Sequence, residues 1–142
     1  MLLDANLLLF ADDELSPFHE RARDWLTESL NGEARIGLPW HSSLAYLRLR
    51  TNPRIYRSPL SGPDACRRVR RWLAAPAAWV PAPTDRHADV LVRLIERYHL
   101  SGNAIPDAHL AALAIEHGLA IASADTDFAR FEDVRWINPL RG

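Results

Sequence analysis

Four aspartates follow or open apolar segments of this sequence, and their placement constrains the fold more than any other feature. Asp4 follows the first apolar run, Asp107 opens an apolar helical stretch, and Asp125 and Asp127 follow a later apolar run. Carboxylates placed in this way would converge at one end of a parallel sheet. Because like charges at such a point repel one another, the cluster requires a cation. The expected ion is Mg²⁺ or Mn²⁺, since the ligands are oxygens.

Short apolar runs that predict strands alternate with longer segments that predict helices. The predicted strands cover residues 2–4, 35–38, 78–80, 120–123 and 135–137. The predicted helices cover residues 17–30, 39 to about 51, 63–73, 85–98 and 107–117. Asn6 is expected to end the first strand, and no helix is predicted before residue 17. This alternation indicates an α/β fold with a mostly parallel sheet, and 142 residues fit a single domain over residues 1–142.

The four aspartates are the candidate catalytic residues. We interpret Asp4, Asp107 and Asp125 as metal ligands, with Asp127 bound directly or supporting them. One or two divalent ions held there would lower the pKa of a bound water and stabilise charge on a phosphoryl oxygen. The sequence therefore predicts hydrolysis of a phosphodiester at the carboxyl ends of the strands, where parallel sheets carry their active sites.

Each of these positions also has a structural alternative. Asp125 and Asp127 would cap a short helix, and Asp107 would be an ordinary acid at a helix N-terminus. Asn6 would either orient a ligand or water or form a turn after the strand. His109 would be either a satisfied helix histidine or a ligand.

The basic residues are unusual, because all 17 are arginine and none is lysine. A GC-rich coding sequence would give this composition. The functional alternative is a phosphate-binding surface, since the arginine fork binds phosphate through two hydrogen bonds. The arginines cluster in two segments, residues 48–57 and 67–71, and the candidate phosphate-binding residues are Arg48, Arg50 and Arg54.

Several classes of protein are excluded by what the sequence lacks. The single Cys66 has no partner for a disulfide or a thiolate metal site. No apolar run approaches the roughly 20 residues that span a bilayer, and the chain opens without a signal peptide, so a cytoplasmic protein is expected. A glycine-rich phosphate loop and a Gly-x-Ser-x-Gly turn are also missing, which removes nucleoside-triphosphate and serine-hydrolase chemistry.

Three motifs in register resemble the PIN domain, and specifically the VapC-type toxins of bacterial toxin–antitoxin pairs. They are MLLDANLLL at residues 1–9, PDAHLAALA at residues 106–114 and SADTDF at residues 123–128. The resemblance covers essentially the whole chain and implies a three-layer α/β/α fold and a Mg²⁺- or Mn²⁺-dependent endoribonuclease. It also implies a homodimer and inhibition by a cognate VapB-type antitoxin. In such a nuclease, Asn6 and Ser123 would position ligand or water, and the arginine clusters would contact RNA.

The sequence departs from the PIN pattern on the helix after the second strand. PIN nucleases usually carry an acid there, commonly Glu, but residues 39–48 contain none, and Leu44 or Ala45 holds the position. His41 lies one turn earlier and is either a substitute or an ordinary surface or packing histidine. The missing acid keeps a second hypothesis open, a non-cleaving module that acts by binding RNA. A third, a phosphohydrolase of small phosphoesters, is disfavoured because no second aspartate follows Asp4 by two residues.

An acidic pocket of this kind also suggests how a partner would inhibit the protein. An antitoxin that inserts an Arg or Lys between the aspartates would compete with the ion. Apolar helix faces around Trp25 or Trp40 would receive the rest of that partner. The sequence does not identify the RNA, because single-stranded loops of many RNAs are physically acceptable to such a nuclease.

Overall fold

The computed structural model describes residues 1–141, which form a five-stranded sheet and six α-helices. The strands are β1 (Leu2–Leu3), β2 (Ile36–Gly37), β3 (Ala78–Trp79), β4 (Ile121–Ala122) and β5 (Trp136–Ile137). The helices are α1 (Ala5–Asp12), α2 (His19–Leu30), α3 (Trp40–Arg50), α4 (Gly62–Leu73), α5 (His87–Tyr98) and α6 (Ile105–His117). Short 3₁₀ turns at Gly102–Ala104 and Thr126–Arg130 precede α6 and follow β4.

The sheet has the strand order β3-β2-β1-β4-β5, and every neighbouring pair is parallel. The chain builds outward from β1 through β2 to β3 and then returns to place β4 on the other side of β1. The order therefore reverses between β1 and β4. In open parallel sheets, the crevice at such a reversal is where ligands bind, beyond the carboxyl ends of the strands.

Helices cover both faces of the sheet, because successive residues of a strand point to opposite sides. Leu3 and Ala122 pack on one face with residues of α1, α2, α3 and α4. Leu2 and Ile121, their neighbours in the same strands, pack on the other face with residues of α5 and α6. The expected three-layer α/β/α architecture with its parallel central sheet is thereby confirmed.

The segment after β1 differs from the prediction, because it forms helix α1 rather than a turn. The side chain of Asp4 caps this helix by accepting a hydrogen bond of 2.8 Å from the N–H of Ala5. Asn6 lies within the first turn of α1 instead of breaking the chain away from the strand. Ala5, Leu7 and Leu8 are buried, so tertiary packing stabilises a segment whose apolar sequence carries little helical periodicity.

Other differences from the prediction are small. Helix α2 begins at His19 rather than residue 17, and its N-cap position is Phe18 rather than Ser16. Helix α4 does begin beside Pro63, with the Ser61 hydroxyl accepting a hydrogen bond from the N–H of Asp64. Cys66, placed by the helical pattern on the buried face of α4, is exposed. Within residues 1–141, no helix combines the length and apolarity needed to cross a membrane.

Candidate functional site

Asp4, Asn6 and Ser123 form one hydrogen-bonded network where β1 and β4 end. The hydroxyl of Ser123 donates to Oδ2 of Asp4 at 2.7 Å, and Nδ2 of Asn6 lies 3.3 Å from the same oxygen. Nδ2 of Asn6 also donates to Oγ of Ser123 at 3.0 Å, while its Oδ1 accepts from the N–H of Ala124 at 3.2 Å. The network ties helix α1 to the loop after β4 and holds the Asp4 carboxylate in one orientation.

Asp107, Asp125 and Asp127 bring their carboxylates together beside this network. One oxygen from each lies within 4.8 Å of the oxygens of the other two. Asp107 is in the first turn of α6, whereas Asp125 and Asp127 lie in the loop that follows β4. Asp4 stands outside this compact group within the part of the chain that the structure describes. The structure therefore unites three of the four predicted aspartates and places the fourth next to them.

Asp125 serves the fold as well as the acidic group. Its Oδ1 accepts a hydrogen bond of 2.9 Å from the N–H of Asp127, and its side chain caps the 3₁₀ turn Thr126–Arg130. The N–H of Asp125 in turn donates to Oγ of Ser123 at 3.0 Å. The predicted capping role is thus present, and it orients the carboxylate toward the acidic group rather than excluding it from that group.

The electrostatics of these carboxylates favour a bound cation. Burial, followed by the charges of Asp125, Asp4 and Asp127, raises the pKa of Asp107 to about 6. Burial also raises the pKa of Asp4, with a contribution from Asp125, although hydrogen bonds from Ser123 and Ala5 oppose the shift. Both shifts record the cost of bringing anions together away from water. A hard divalent cation with oxygen ligands would remove that cost.

A row of histidines lies beside the acidic group. His41 lies near enough to Asp4 for the carboxylate to affect the pKa of the ring. The rings of His41 and His109 have centroids 5.1 Å apart, and Nε2 of His87 lies 3.0 Å from Nδ1 of His109. Burial is the main cause that lowers the pKa of His41 and that lowers the pKa of His109 to about 4. Burial thus favours the neutral form of both rings.

Helix α3 presents no carboxylate to the site, because its residues 40–50 contain no acid. Leu44 is exposed, and its neighbour Ala45 is partly buried. Ser42 is buried and donates to the carbonyl oxygen of Leu3 at 2.6 Å, which fixes α3 against the end of β1. His41 is therefore a polar residue of α3 that lies near enough to Asp4 to feel its charge.

The candidate phosphate-binding arginines differ in their availability. Arg48 and Arg54 are exposed, and Arg48 lies near enough to His41 for the two charges to interact. Arg50 is instead held by Asp12, with Nε 2.9 Å from Oδ2 and only 11% of its side chain exposed. Arg68 reaches the other oxygen of Asp12 at 3.2 Å. Arg50 thus has a structural partner, while Arg48 and Arg54 remain accessible.

Two polar residues near the site were not anticipated from the sequence. His87 bonds to His109, and Glu116 accepts hydrogen bonds from His87 and from Thr84. The two lie 29 positions apart, on α5 and α6, and neither belongs to a local motif. The sequence indicates this contact only indirectly, because α5 and α6 each carry a histidine on the side where the two helices pack.

Comparisons with known proteins show the family to which the chain is similar. The family model of the PIN domain matches residues 1–134. Ribonuclease VapC37 of Mycobacterium tuberculosis is 44% identical over 138 residues, which cover 97% of this chain and 96% of the relative. Ribonuclease VapC33 of the same organism is 39% identical over the same shares of the two proteins. These matches extend over nearly the full length of the chain.

A solved structure supports the fold independently of close sequence similarity. The complex VapBC2 from Rickettsia felis, bound to a DNA fragment from their promoter, contains a chain that superposes with a TM-score of 0.64 at 15% identity. The match covers 96% of each chain. The family model, the curated relatives and the parallel sheet with its acidic edge agree, and the chain belongs to the PIN-domain family and, within it, to the VapC ribonucleases.

Proposed function

We propose that this protein is the toxin of a type II toxin–antitoxin system and acts as a Mg²⁺- or Mn²⁺-dependent endoribonuclease. The observation that carries the proposal is the group formed by Asp107, Asp125 and Asp127, whose carboxylate oxygens lie within 4.8 Å of one another. The group lies beyond the carboxyl ends of parallel strands, in a chain 44% identical to Ribonuclease VapC37. The proposed role of this group is hydrolysis of an RNA phosphodiester bond.

The residues present fit a hard divalent ion. Three carboxylates share one small volume, and burial together with the neighbouring charges raises the pKa of Asp107 to about 6. Asp107, Asp125 and Asp127 would hold the ion, with Asp4 at its side. A bound ion would supply charge neutralisation for the RNA phosphate and a lower pKa for a coordinated water. Asp4, Asp107, Asp125 and Asp127 together are the proposed catalytic set.

Asn6 and Ser123 would act by positioning the carboxylates and the substrate. Ser123 is fully buried and holds Oδ2 of Asp4, so it fixes the direction in which the remaining lone pairs of that carboxylate point. Asn6 spans Asp4 and the backbone of Ala124, and so sets the spacing between α1 and the loop after β4. Neither side chain carries charge, so both would act on geometry rather than on ion affinity.

RNA would reach the site along the exposed side of α3. Arg48 is exposed there, and Arg54 is exposed in the segment that follows α3, so both guanidinium groups are available to RNA phosphates. Arg50 does not belong to this surface, because Asp12 holds it.

We propose that the protein is a homodimer in the cytoplasm, where RNA and the antitoxin are both available. Light scattering of the purified toxin tests the dimer directly.

The test is cleavage of total cellular RNA by antitoxin-free protein, with sequencing of the new 5′ ends. The arms are Mg²⁺, Mn²⁺ and EDTA, with the wild type beside Asp4→Asn and Asp107→Asn. We expect discrete cuts that require metal and are lost in both variants. Asp24→Asn is the matched control, because Asp24 is exposed on α2 and pairs with its neighbour Arg23. Equal cutting by wild type and Asp107→Asn would refute the proposed site.

A second candidate function, RNA binding without cleavage, is favoured by the absence of an acid on α3. The same experiment separates the two, provided that RNA binding is measured for each variant by filter retention. Protein that binds RNA but makes no cut with either metal would support this alternative. Binding through arginine would then survive Asp4→Asn and fall when Arg48 and Arg54 are replaced by glutamine.

We further propose a VapB-type antitoxin as the partner. The similar solved structure is a VapBC2 complex, which supports a partner of this kind. An antitoxin Arg or Lys placed among the aspartates would neutralise Asp107 and Asp125 in place of the ion. Co-expression with the product of the adjacent gene, followed by titration of wild type and Asp107→Asn/Asp125→Asn, tests this contact. Equal affinity for both proteins would show that the partner does not use the acidic pocket.

A further inference from the structure

Four polar side chains on three helices form a histidine chain beside the acidic group. The chain consists of His41 on α3, His109 on α6, His87 on α5 and, at its far end, Glu116 on α6. The ring centroids of successive histidines are 5.1 and 4.9 Å apart. The proposed nuclease chemistry uses none of the nitrogen atoms in this chain.

The carboxylate at the far end of the chain holds His87 by its Nδ1. The Glu116 carboxylate accepts from the N–H of Thr84 at 2.8 Å, from its hydroxyl at 2.6 Å, and from Nδ1 of His87. The pKa of Glu116 is lowered, because these hydrogen bonds outweigh the desolvation that would raise it. A carboxylate only accepts, so His87 donates from Nδ1. Nε2 of His87 lies 3.0 Å from Nδ1 of His109, and an ion on Nε2 of His109 would leave the proton of that ring on Nδ1, as the donor in this bond.

The other ring nitrogen of His109 is available to an ion. This atom, Nε2, has no hydrogen-bond partner within residues 1–141. Neither ring nitrogen of His41 has a hydrogen-bond partner within residues 1–141. A histidine whose second nitrogen donates to a carboxylate, directly or through another group, has the arrangement that supports metal-ligating histidines.

The spacing of His41 and His109 also suits a shared ion. Zinc binds imidazole nitrogen at about 2.0–2.1 Å in tetrahedral geometry, which places the centres of two coordinated rings about 5 Å apart. The observed separation is 5.1 Å, with the ring planes inclined at 55°. Both rings are partly exposed, so a dissolved ion can reach them.

We propose that His41 and His109 form a second metal site, specific for a borderline divalent ion such as Zn²⁺ and distinct from the acidic group. Imidazole nitrogen selects Zn²⁺, Ni²⁺ or Cu²⁺ over Mg²⁺, whereas the carboxylates of the acidic group prefer the hard ions. Glu116 and His87 orient His109 for this ion without touching it. The two sites are adjacent, since His41 lies near enough to Asp4 for the carboxylate to affect the pKa of the ring.

The site is tested by Zn²⁺ titration calorimetry on metal-free protein in millimolar Mg²⁺, which keeps the acidic group occupied by a hard ion. We expect saturable Zn²⁺ binding that His41→Ala and His109→Ala each abolish. Glu116→Gln should weaken binding about 10- to 100-fold. The glutamine amide donates to Nδ1 of His87, which reverses the donors and acceptors along the histidine chain and places a proton on Nε2 of His109. His99→Asn is the control, because His99 is exposed at the left-handed end of α5, a conformation that asparagine tolerates.

A spectroscopic readout on the wild type removes dependence on the folding of the variants. Long-range ¹⁵N spectra of the imidazoles should show Zn²⁺ shifting Nε2 of His109 and one nitrogen of His41, with His99 unchanged. Wild type that binds no Zn²⁺, or binds it equally after His41→Ala, would overturn the proposal. The result is independent of RNA cleavage, so loss of the zinc site and loss of the proposed nuclease function are separate outcomes.

Discussion

The hydroxyl of Ser123 donates a 2.7 Å hydrogen bond to Oδ2 of Asp4 and so joins the ends of two adjacent parallel strands, β1 and β4. Oγ of Ser123 in turn accepts from Nδ2 of Asn6 and from the N–H of Asp125, each at 3.0 Å. One fully buried hydroxyl therefore sets the position of an aspartate on each side of the strand-order reversal.

Replacing Ser123 by alanine should weaken both the fold and the site. The change removes one of the two acceptors of Asn6, the side-chain acceptor of the Asp125 N–H and the shortest hydrogen bond to Asp4. We expect the free energy of unfolding to fall by about 1–3 kcal/mol. Metal-dependent RNA cleavage should fall as well, because the Asp4 carboxylate loses one of the hydrogen bonds that orient it. Urea denaturation and the cleavage assay measure the two effects.

The matched control is Ser101→Ala, since Ser101 is exposed and its side chain makes no capping hydrogen bond. Its unfolding free energy should stay within about 0.5 kcal/mol of the wild type. If Ser123→Ala and Ser101→Ala had equal urea midpoints, the hydroxyl of Ser123 would not stabilise the ends of the two strands.

The order of elements could be predicted because each strand is a short apolar run bounded by turn residues. The prediction failed at α1, since the apolar residues that follow Asp4 show no amphipathic period and Asn6 suggests a turn. Burial of Ala5, Leu7 and Leu8 decides this segment, and burial depends on helices that arrive later in the chain. Local sequence is least informative where an element is apolar on nearly every side.

The aspartates of the site could be predicted for the opposite reason, because each follows or opens a recognisable element. The contacts that hold the functional residues in place could not be predicted from the sequence. Ser123 is 119 positions from Asp4, and Glu116 is 29 from His87, so only the packed strands and helices bring each pair together. Arg50 is a further example. Its place in the arginine cluster predicted phosphate binding, but the fold pairs it with Asp12.

The pKa of Asp107 predicts how stability depends on pH when no metal is bound. That pKa is raised from 3.8 to about 6, so between these values the folded protein keeps a proton that the unfolded chain releases. The contribution of Asp107 to stability is therefore greatest at low pH and falls as the pH rises through this window. Asp107→Asn removes the free-energy cost of ionising this carboxyl beside its neighbouring carboxylates. We expect the metal-free variant to melt above the wild type at pH 7 and to match it below about pH 4.

Magnesium should reverse the order at pH 7. The ion binds the folded wild type and raises its melting temperature, whereas Asp107→Asn lacks one ligand and gains less. Thermal melts with EDTA and with Mg²⁺ across pH 4 to about 8 provide the comparison. If the difference between wild type and Asp107→Asn did not change with pH in EDTA, the carboxyl of Asp107 would have an ordinary pKa in the folded protein.

Gly37 in β2 should tolerate no side chain. A Cβ there would lie 2.8 Å from Cγ of Pro81, 3.2 Å from Cδ1 of Leu2 and 3.3 Å from the carbonyl oxygen of Met1. We expect Gly37→Ala to cost about 1–3 kcal/mol through overpacking. Gly62→Ala is the control, because nothing lies within 4 Å of a Cβ at the start of α4, and it should be neutral or stabilising by up to about 1 kcal/mol. Equal unfolding free energies for the two variants would contradict the packing around β2.

Asp12 should be the most costly of the acids to replace outside the site. Its side chain is 2% exposed and accepts from Nε of Arg50 at 2.9 Å and from the hydroxyl of Tyr46 at 2.8 Å. Asp12→Asn leaves the guanidinium of Arg50, only 11% exposed, without its counter-charge. Removing one partner of a buried ion pair costs about 3–5 kcal/mol, so the urea midpoint should fall sharply. Asp24→Asn breaks an exposed pair and should cost about 1 kcal/mol or less. A similar small loss in both variants would mean that water screens the Asp12–Arg50 pair as well.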